Sequence, residues 1–206
     1  MGKSYDFSKA VQGAHYKQYA QGHSVRIVNS DEARTNSLAE RKKDSQLTEL
    51  AGRFALISQL TKDGLEVALP IRDRGVDLIV YADLDEQGTQ FIACPIQLKV
   101  TTGRRFELDS KYAKIANLLL VYVWDVQEAA QSRTYALTYE EALEIFTRRG
   151  YTKTASWKKG RYSVPSPGPE LMNLMKPFLM EPEGWKARIL SAAKINERKT
   201  ALRYYG

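Results

Sequence analysis

Cysteine and histidine are nearly absent from this chain: Cys94 is its one thiol, and His15 and His23 are its only imidazoles. A single thiol forms no intrachain disulfide and builds no cysteine zinc site, and two histidines do not suggest a histidine-rich metal centre. Long apolar runs are missing too. No stretch approaches the roughly 18 to 20 apolar residues of a membrane span. The opening Met1-Gly2-Lys3-Ser4-Tyr5-Asp6 lacks the charged-then-apolar profile of a secretory signal. A cytoplasmic location is therefore expected, with no membrane partner. Nothing resembles a glycine loop that cradles phosphate, and no serine or cysteine triad can be assembled.

What is present is positive charge. The formal balance over 206 residues is +7, which favours a polyanionic partner, and its distribution is uneven. Residues 1–45 carry +3, residues 46–126 carry −2, and residues 127–180 and 181–206 carry +3 each. A slightly acidic middle inside a basic surround suits a cation-binding centre within a surface that grips phosphates. A solvated basic surface would look the same. The hydrophobic share, 43%, is ordinary for a globular protein and allows one main domain with terminal appendages.

Residues 1–45 read as a polar, basic segment and linker. From Gln46, Leu47, Leu50, Phe54, Ile57 and Leu60 recur at helical spacing, with Asp44-Ser45 to cap the start and Gly64 to end it, so a helix is predicted over about 46–63. A short strand at 65–70, a turn at Arg72-Asp73-Arg74-Gly75 and a run at 76–83 follow. Glu86-Gln87-Gly88 then marks a hairpin turn into a strand at 90–101. Phe106 to Ile115 reads as a strand end and a short helix. The run Leu118-Leu119-Leu120-Val121-Tyr122-Val123-Trp124 suits a strand covered on both faces. Arg133 to Leu137 suggests another strand. Thr138-Tyr139-Glu140-Glu141 is a capping box opening a helix that stops at Gly150. A proline-rich connector at 163–169 and a terminal amphipathic helix at 184–199 complete the chain. The expected fold is α/β, a mixed β-sheet flanked by α-helices, with domain limits at 1–45, 46–180 and 181–206.

Within Pro95-Ile96-Gln97-Leu98-Lys99-Val100, alternation places Gln97 and Lys99 on one face and Ile96, Leu98 and Val100 on the other. Any half-exposed strand shows the same pattern. Asp77, in Gly75-Val76-Asp77-Leu78-Ile79-Val80, stands at a strand start where Asp is disfavoured unless its side chain has a role, and a turn cap would also account for it. Glu49 by itself fits an exposed helical position. Pro95 removes one ladder hydrogen bond, so a β-bulge or a strand break is expected there.

Taken in order, Glu49-Leu50-Ala51-Gly52, Gly75-Val76-Asp77-Leu78 and Gln97-Leu98-Lys99 resemble the PD-(D/E)XK nuclease superfamily, whose core is shared by restriction enzymes, resolvases and some intron-encoded endonucleases. The resemblance covers about residues 46–126. Val76 stands where the name-giving proline would be. Gln97 replaces the usual acidic residue, as in a Gln-x-Lys subset found among certain homing endonucleases. The resemblance implies a restriction endonuclease-like core that binds Mg²⁺ and hydrolyses phosphodiesters in DNA. It also implies the roles: Asp77 as the central Mg²⁺ ligand, the Gln97 amide and the Leu98 carbonyl as further oxygens, and Glu49 at a second metal or a metal-bound water. Lys99 would orient the nucleophile or stabilise the transition state. One carboxylate, one amide and one carbonyl suit a hard, oxygen-seeking cation that keeps several waters.

Arg104 and Arg105, just beyond this strand, are placed to meet a DNA backbone, and Lys111 with Tyr112 could face it too. Lys158, Lys159 and Arg161 lie in Trp157-Lys158-Lys159-Gly160-Arg161-Tyr162, which interleaves aromatic and basic residues as nucleic-acid surfaces do; a basic hairpin tip reads the same. Lys186, Arg188, Lys194, Arg198, Lys199 and Arg203 read as a solvated face. Cys94 reads as a buried small hydrophobe, and His15 and His23 as surface residues. Duplex cleavage needs two sites, which suggests a homodimer. The rival expectation is a non-catalytic, nuclease-like DNA-binding or antitoxin-type protein. It draws on the neutral Gln97 and on Tyr5-Asp6-Phe7-Ser8-Lys9-Ala10, Gly13-Ala14-His15-Tyr16, Gly22 and Val25 to Val28, which resemble a segment of small bacterial antitoxin-like proteins and imply a toxin-like partner.

Overall fold

A computed structural model of the protein describes residues 45–72, 74–83, 91–128 and 130–193, all within one compact unit. The N-terminal segment with His15 and His23, the Asp44 cap, Asp73, the Glu86-Gln87-Gly88 turn and the bases at 194, 198, 199 and 203 lie outside the described residues.

Helix α1 (Ser45–Lys62) leads into β1 (Glu66–Ala68), β2 (Leu78–Asp83) and β3 (Phe91–Val100). Then come β4 (Phe106–Asp109), a 3₁₀ turn (Ser110–Lys114), β5 (Leu119–Trp124) and β6 (Arg133–Thr138). Helix α2 (Tyr139–Arg148), the short α3 (Ala155–Lys158), β7 (Arg161–Val164) and α4 (Pro169–Met175) follow, and residues 185–193 are helical. Five strands form one sheet in the order β1-β2-β3-β5-β6. β3 and β5 run parallel and the other pairs antiparallel, so the sheet is mixed, as expected. A parallel pair needs a crossover, and residues 101–118 provide it, carrying β4 out to pair with β7 in a separate two-stranded sheet.

β5 shows why the run 118–124 reads as buried. Leu119, Val121 and Val123 enter one core with Leu56, Leu60, Ile96 and Leu98, while Leu120, Tyr122 and Trp124 enter a second with Phe106, Phe146 and Met175. Both faces of the central strand are thus covered. The capping box forms as the sequence predicts: Glu141 N–H donates to Thr138 Oγ1, and Thr138 N–H donates to the Glu141 carboxylate. Gly150 ends that helix at φ +71, a left-handed conformation that favours glycine.

Several expectations are corrected. On α1 the buried positions are Thr48, Gly52, Leu56 and Leu60, whereas Leu47, Leu50 and Phe54 are exposed. The apolar recurrence defines a helix but not its inner face, because the small residues Thr48 and Gly52 allow the closer approach to the sheet. The run 157–162 is not a hairpin tip: Lys158 ends α3, Gly160 turns at φ +99, and Arg161 opens β7. The connector at 163–169 is shorter than expected, since Ser163 and Val164 belong to β7 and Pro169 starts α4 at a helix position that needs no N–H.

Arg188 is not part of a solvated face. Its guanidinium pairs with Glu141 and donates to the Ala136 carbonyl, with 14% of the side chain exposed. Trp185, Ile189 and Ala192 from the same helix are buried in the first core. Trp185→Ala is expected to destabilise the fold by about 3–5 kcal/mol, read as a lowered urea midpoint, because the indole fills the core and its N–H reaches Gln59.

Candidate active site

The site is built where β3 outruns β2. β2 begins at Leu78, opposite Ile96, so the backbone of Leu98 has no β2 residue beside it. Asp77 fills that place. Its N–H donates to the Ile96 carbonyl at 2.8 Å, and its Oδ2 accepts from the Leu98 N–H at 2.6 Å. The same oxygen accepts from Gln97 Nε2 at 2.5 Å, and that amide nitrogen also donates to the Leu98 carbonyl at 3.2 Å. Carboxylate, main-chain carbonyl and side-chain amide therefore converge beside one short length of strand. Gly75, at φ +88, comes close here, and a Cβ on it would lie 3.7 Å from Gln97 Oε1.

Pro95 neither bulges nor breaks the strand, contrary to expectation, and the register with β2 runs unbroken from Leu78↔Ile96 to Asp83↔Phe91. The bond from Asp77 N to Ile96 O shows that Ile96 points its amide groups at β2, so those of Pro95 point at the β5 side. Pairing with β5 starts only at Ile96↔Leu119. The missing N–H falls where no ladder bond is due.

Lys99 lies two residues on, with Nζ 3.1 Å from Glu107 Oε1 and 5.3 Å from the centre of the Tyr112 ring. Burial works against its charge, but the neighbouring Tyr112 and the Glu107 carboxylate outweigh it, and the Lys99 pKa is raised. Burial likewise opposes the charge on Glu107, and the hydrogen bond from Arg161 together with the nearby Lys99 ammonium brings its pKa down overall. Both are ionised at neutral pH, which makes Lys99 a fixed cation rather than a base. Glu107 Oε2 accepts from Arg161 Nη2 at 2.8 Å.

Glu49 reaches the site from α1, exposed and paired with Arg53 one turn on. Gly52, next on the buried stripe after Thr48, makes this approach possible: a Cβ there would fall 2.5 Å from the Val100 methyls, so only glycine lets the helix lie this near β3. The result is a cleft of about 350 Å³ whose lining includes Glu49, Asp77, Gln97, Leu98, Lys99, Arg105, Glu107 and Arg161.

No family model and no curated protein matches this chain. Among solved structures it is similar to a bacterial homing endonuclease, I-Ssp6803I, at 15% identity over 75% of this chain and 98% of that one, with a TM-score of 0.40.

Of the six bases expected at a DNA surface, Arg105 and Arg161 line the cleft. Arg104 is turned to Asp125 at 2.9 Å, Lys111 sits against the Tyr112 ring beside Asp109, and Lys158 and Lys159 are exposed at the end of α3 away from the lining. Glu107 is the residue that sequence reasoning missed. The alternation Phe106-Glu107-Leu108-Asp109, with Phe106 and Leu108 buried, puts Glu107 on the open face of β4, but nothing local in the sequence pairs it with Lys99.

Proposed function

We propose that this chain is a Mg²⁺-dependent endonuclease of the PD-(D/E)XK type that hydrolyses phosphodiester bonds in DNA. The observation that carries the reading is the convergence of Glu49, Asp77, Gln97, Leu98 and Lys99, from a helix, the residue before β2 and β3, on one cleft. The donor chemistry fits the metal. Asp77 supplies a carboxylate, Leu98 a carbonyl and Gln97 an amide oxygen, all hard ligands, once the amide turns to present Oε1 where Nε2 now bridges the other two. Glu49 stands by as a further carboxylate. When bound, Mg²⁺ would supply a more acidic water and neutralise charge on the phosphoryl oxygens.

The chain's own residues do the rest. Arg161 and Arg105 hold the phosphate at the cleft wall, and Lys99 keeps a positive charge aimed at the reacting group. Water oxygen bonds to phosphorus, the phosphorus bond to the leaving oxygen breaks, the water proton passes to solvent, and the leaving oxygen takes up a proton. Wild-type protein is expected to nick supercoiled plasmid, or cleave a pool of randomised duplexes, with Mg²⁺ and not with EDTA.

One observation favours the rival reading, a DNA-binding module without chemistry. Among the described residues no three His, Cys, Asp or Glu side chains converge as a metal cluster, and the neutral Gln97 closes over Asp77. Salt-dependent DNA affinity with no divalent-dependent cleavage would establish that alternative.

A further inference from the structure

We infer that Glu107 is a positioning residue that holds Lys99 and Arg161 at a fixed spacing on the cleft wall, an assignment that rests on the nuclease reading for its role in turnover. Each carboxylate oxygen takes a different cation: Oε1 meets Lys99 and Oε2 meets Arg161. One carboxylate serving two cations leaves one positive charge in excess, facing the cleft where a phosphate would arrive. A pair serving stability alone would need only one partner for each charge.

Glu107 is anchored at both ends. Its side chain is 12% exposed, and Phe106 and Leu108 on either side are buried in the second core. Its backbone carbonyl accepts from Tyr122 Oη at 2.7 Å, and Tyr122 is the β5 residue in register with Lys99. The strand bearing the carboxylate is thus tied to the strand pair bearing the lysine. Arg161 differs: 59% of its side chain is exposed, so it can meet a ligand while Glu107 holds its inner edge.

Glu107→Gln keeps the shape and removes the charge. The clamp predicts turnover lower by about 10²-fold, the scale of a small misplacement of a reacting group. It also predicts tighter binding of a fluorescein-labelled DNA duplex in EDTA, because a negative charge leaves the cleft. The decisive comparison uses single-turnover rates in a Lys99→Met background, where Glu107→Gln should cost nothing further, because its effect runs through Lys99. Additive losses, or weaker binding alongside the lower rate, would overturn the clamp in favour of a merely structural role. If Glu107→Gln does not fold, Glu107→Asp, which keeps the charge but draws the carboxylate back by one methylene, tests the same coupling, and its rate loss must likewise vanish with Lys99→Met. If wild-type protein shows no Mg²⁺-dependent nicking, the nuclease reading falls and the EDTA binding arm decides the clamp alone: tighter binding by the variant upholds it, equal or weaker binding rejects it.

Discussion

Asp77→Asn is expected to lower Mg²⁺-dependent nicking by about 10³-fold while the protein stays folded. The substitution is chosen because Asp77 also supports the strand end, where its Oδ2 satisfies the Leu98 N–H at the point at which β2 gives out. An Asn carbonyl in the place of Oδ2 can accept that bond and the one from Gln97 Nε2, which keeps its bond to the Leu98 carbonyl. The strand end keeps its hydrogen bonds and loses only the charge. For a cation held by one carboxylate with neutral oxygens, that charge is the main electrostatic attraction. Metal assistance is worth several kcal/mol of transition-state stabilisation, and each 1.36 kcal/mol is tenfold in rate, which gives the magnitude. Asp77→Ala would confuse the matter, since it also leaves the Leu98 N–H without this partner. Nicking rates over a Mg²⁺ series, with Mg²⁺ binding by calorimetry and a thermal melt as control, provide the check. Undiminished nicking by a folded Asp77→Asn protein would remove Asp77 from the reaction and leave it as the cap of a strand end.

The order of elements from α1 to α2 is readable from the residues because each rests on a short-range signal. The 3.6 period of α1, the continuous apolar run of β5 and the capping box at Thr138 are all local. Gln97 and Lys99 are readable for the same reason, since period-two alternation puts them on one face. Glu107 is not, because its meeting with Lys99 depends on where the crossover brings β4, and no local pattern encodes that approach. The inner face of α1 is hidden by a different cause. Leu47, Leu50 and Phe54 make the stronger apolar stripe, yet the helix turns Gly52 to the sheet because only a residue without Cβ fits against Val100. Trp185 and Arg188 show a third limit. A charged terminal helix reads as solvated until a partner such as Glu141 is known to face it.

Lys99→Met should reduce kcat by about 10²–10³-fold, the scale of losing one preorganised charge at a developing oxyanion, with little change in DNA affinity. The split follows from the ion pair. In the free protein much of the Lys99 charge is spent on Glu107 at 3.1 Å, so a ground-state phosphate finds little of it to attract. In the proposed reaction negative charge would build on the phosphoryl oxygens in the transition state, and an ammonium already held by Glu107 beside the Tyr112 ring would stabilise it without reorganising. Methionine keeps the unbranched stem and its packing, Arg161 still pairs with Glu107, and a thermal melt is the control for the lost Lys99 partner. The raised pKa gives the sign of a companion expectation: Lys99 stays protonated through neutral and mildly alkaline pH, so the wild-type rate should not fall over that range through loss of this charge. Single-turnover cleavage and duplex binding in EDTA, measured on the same preparation, separate the two effects. A Lys99→Met protein that binds DNA as the wild type does and no longer cuts it would place the lysine in the chemistry. Loss of binding in proportion to cutting would make it one more phosphate contact and return the cleft to the binding-only reading.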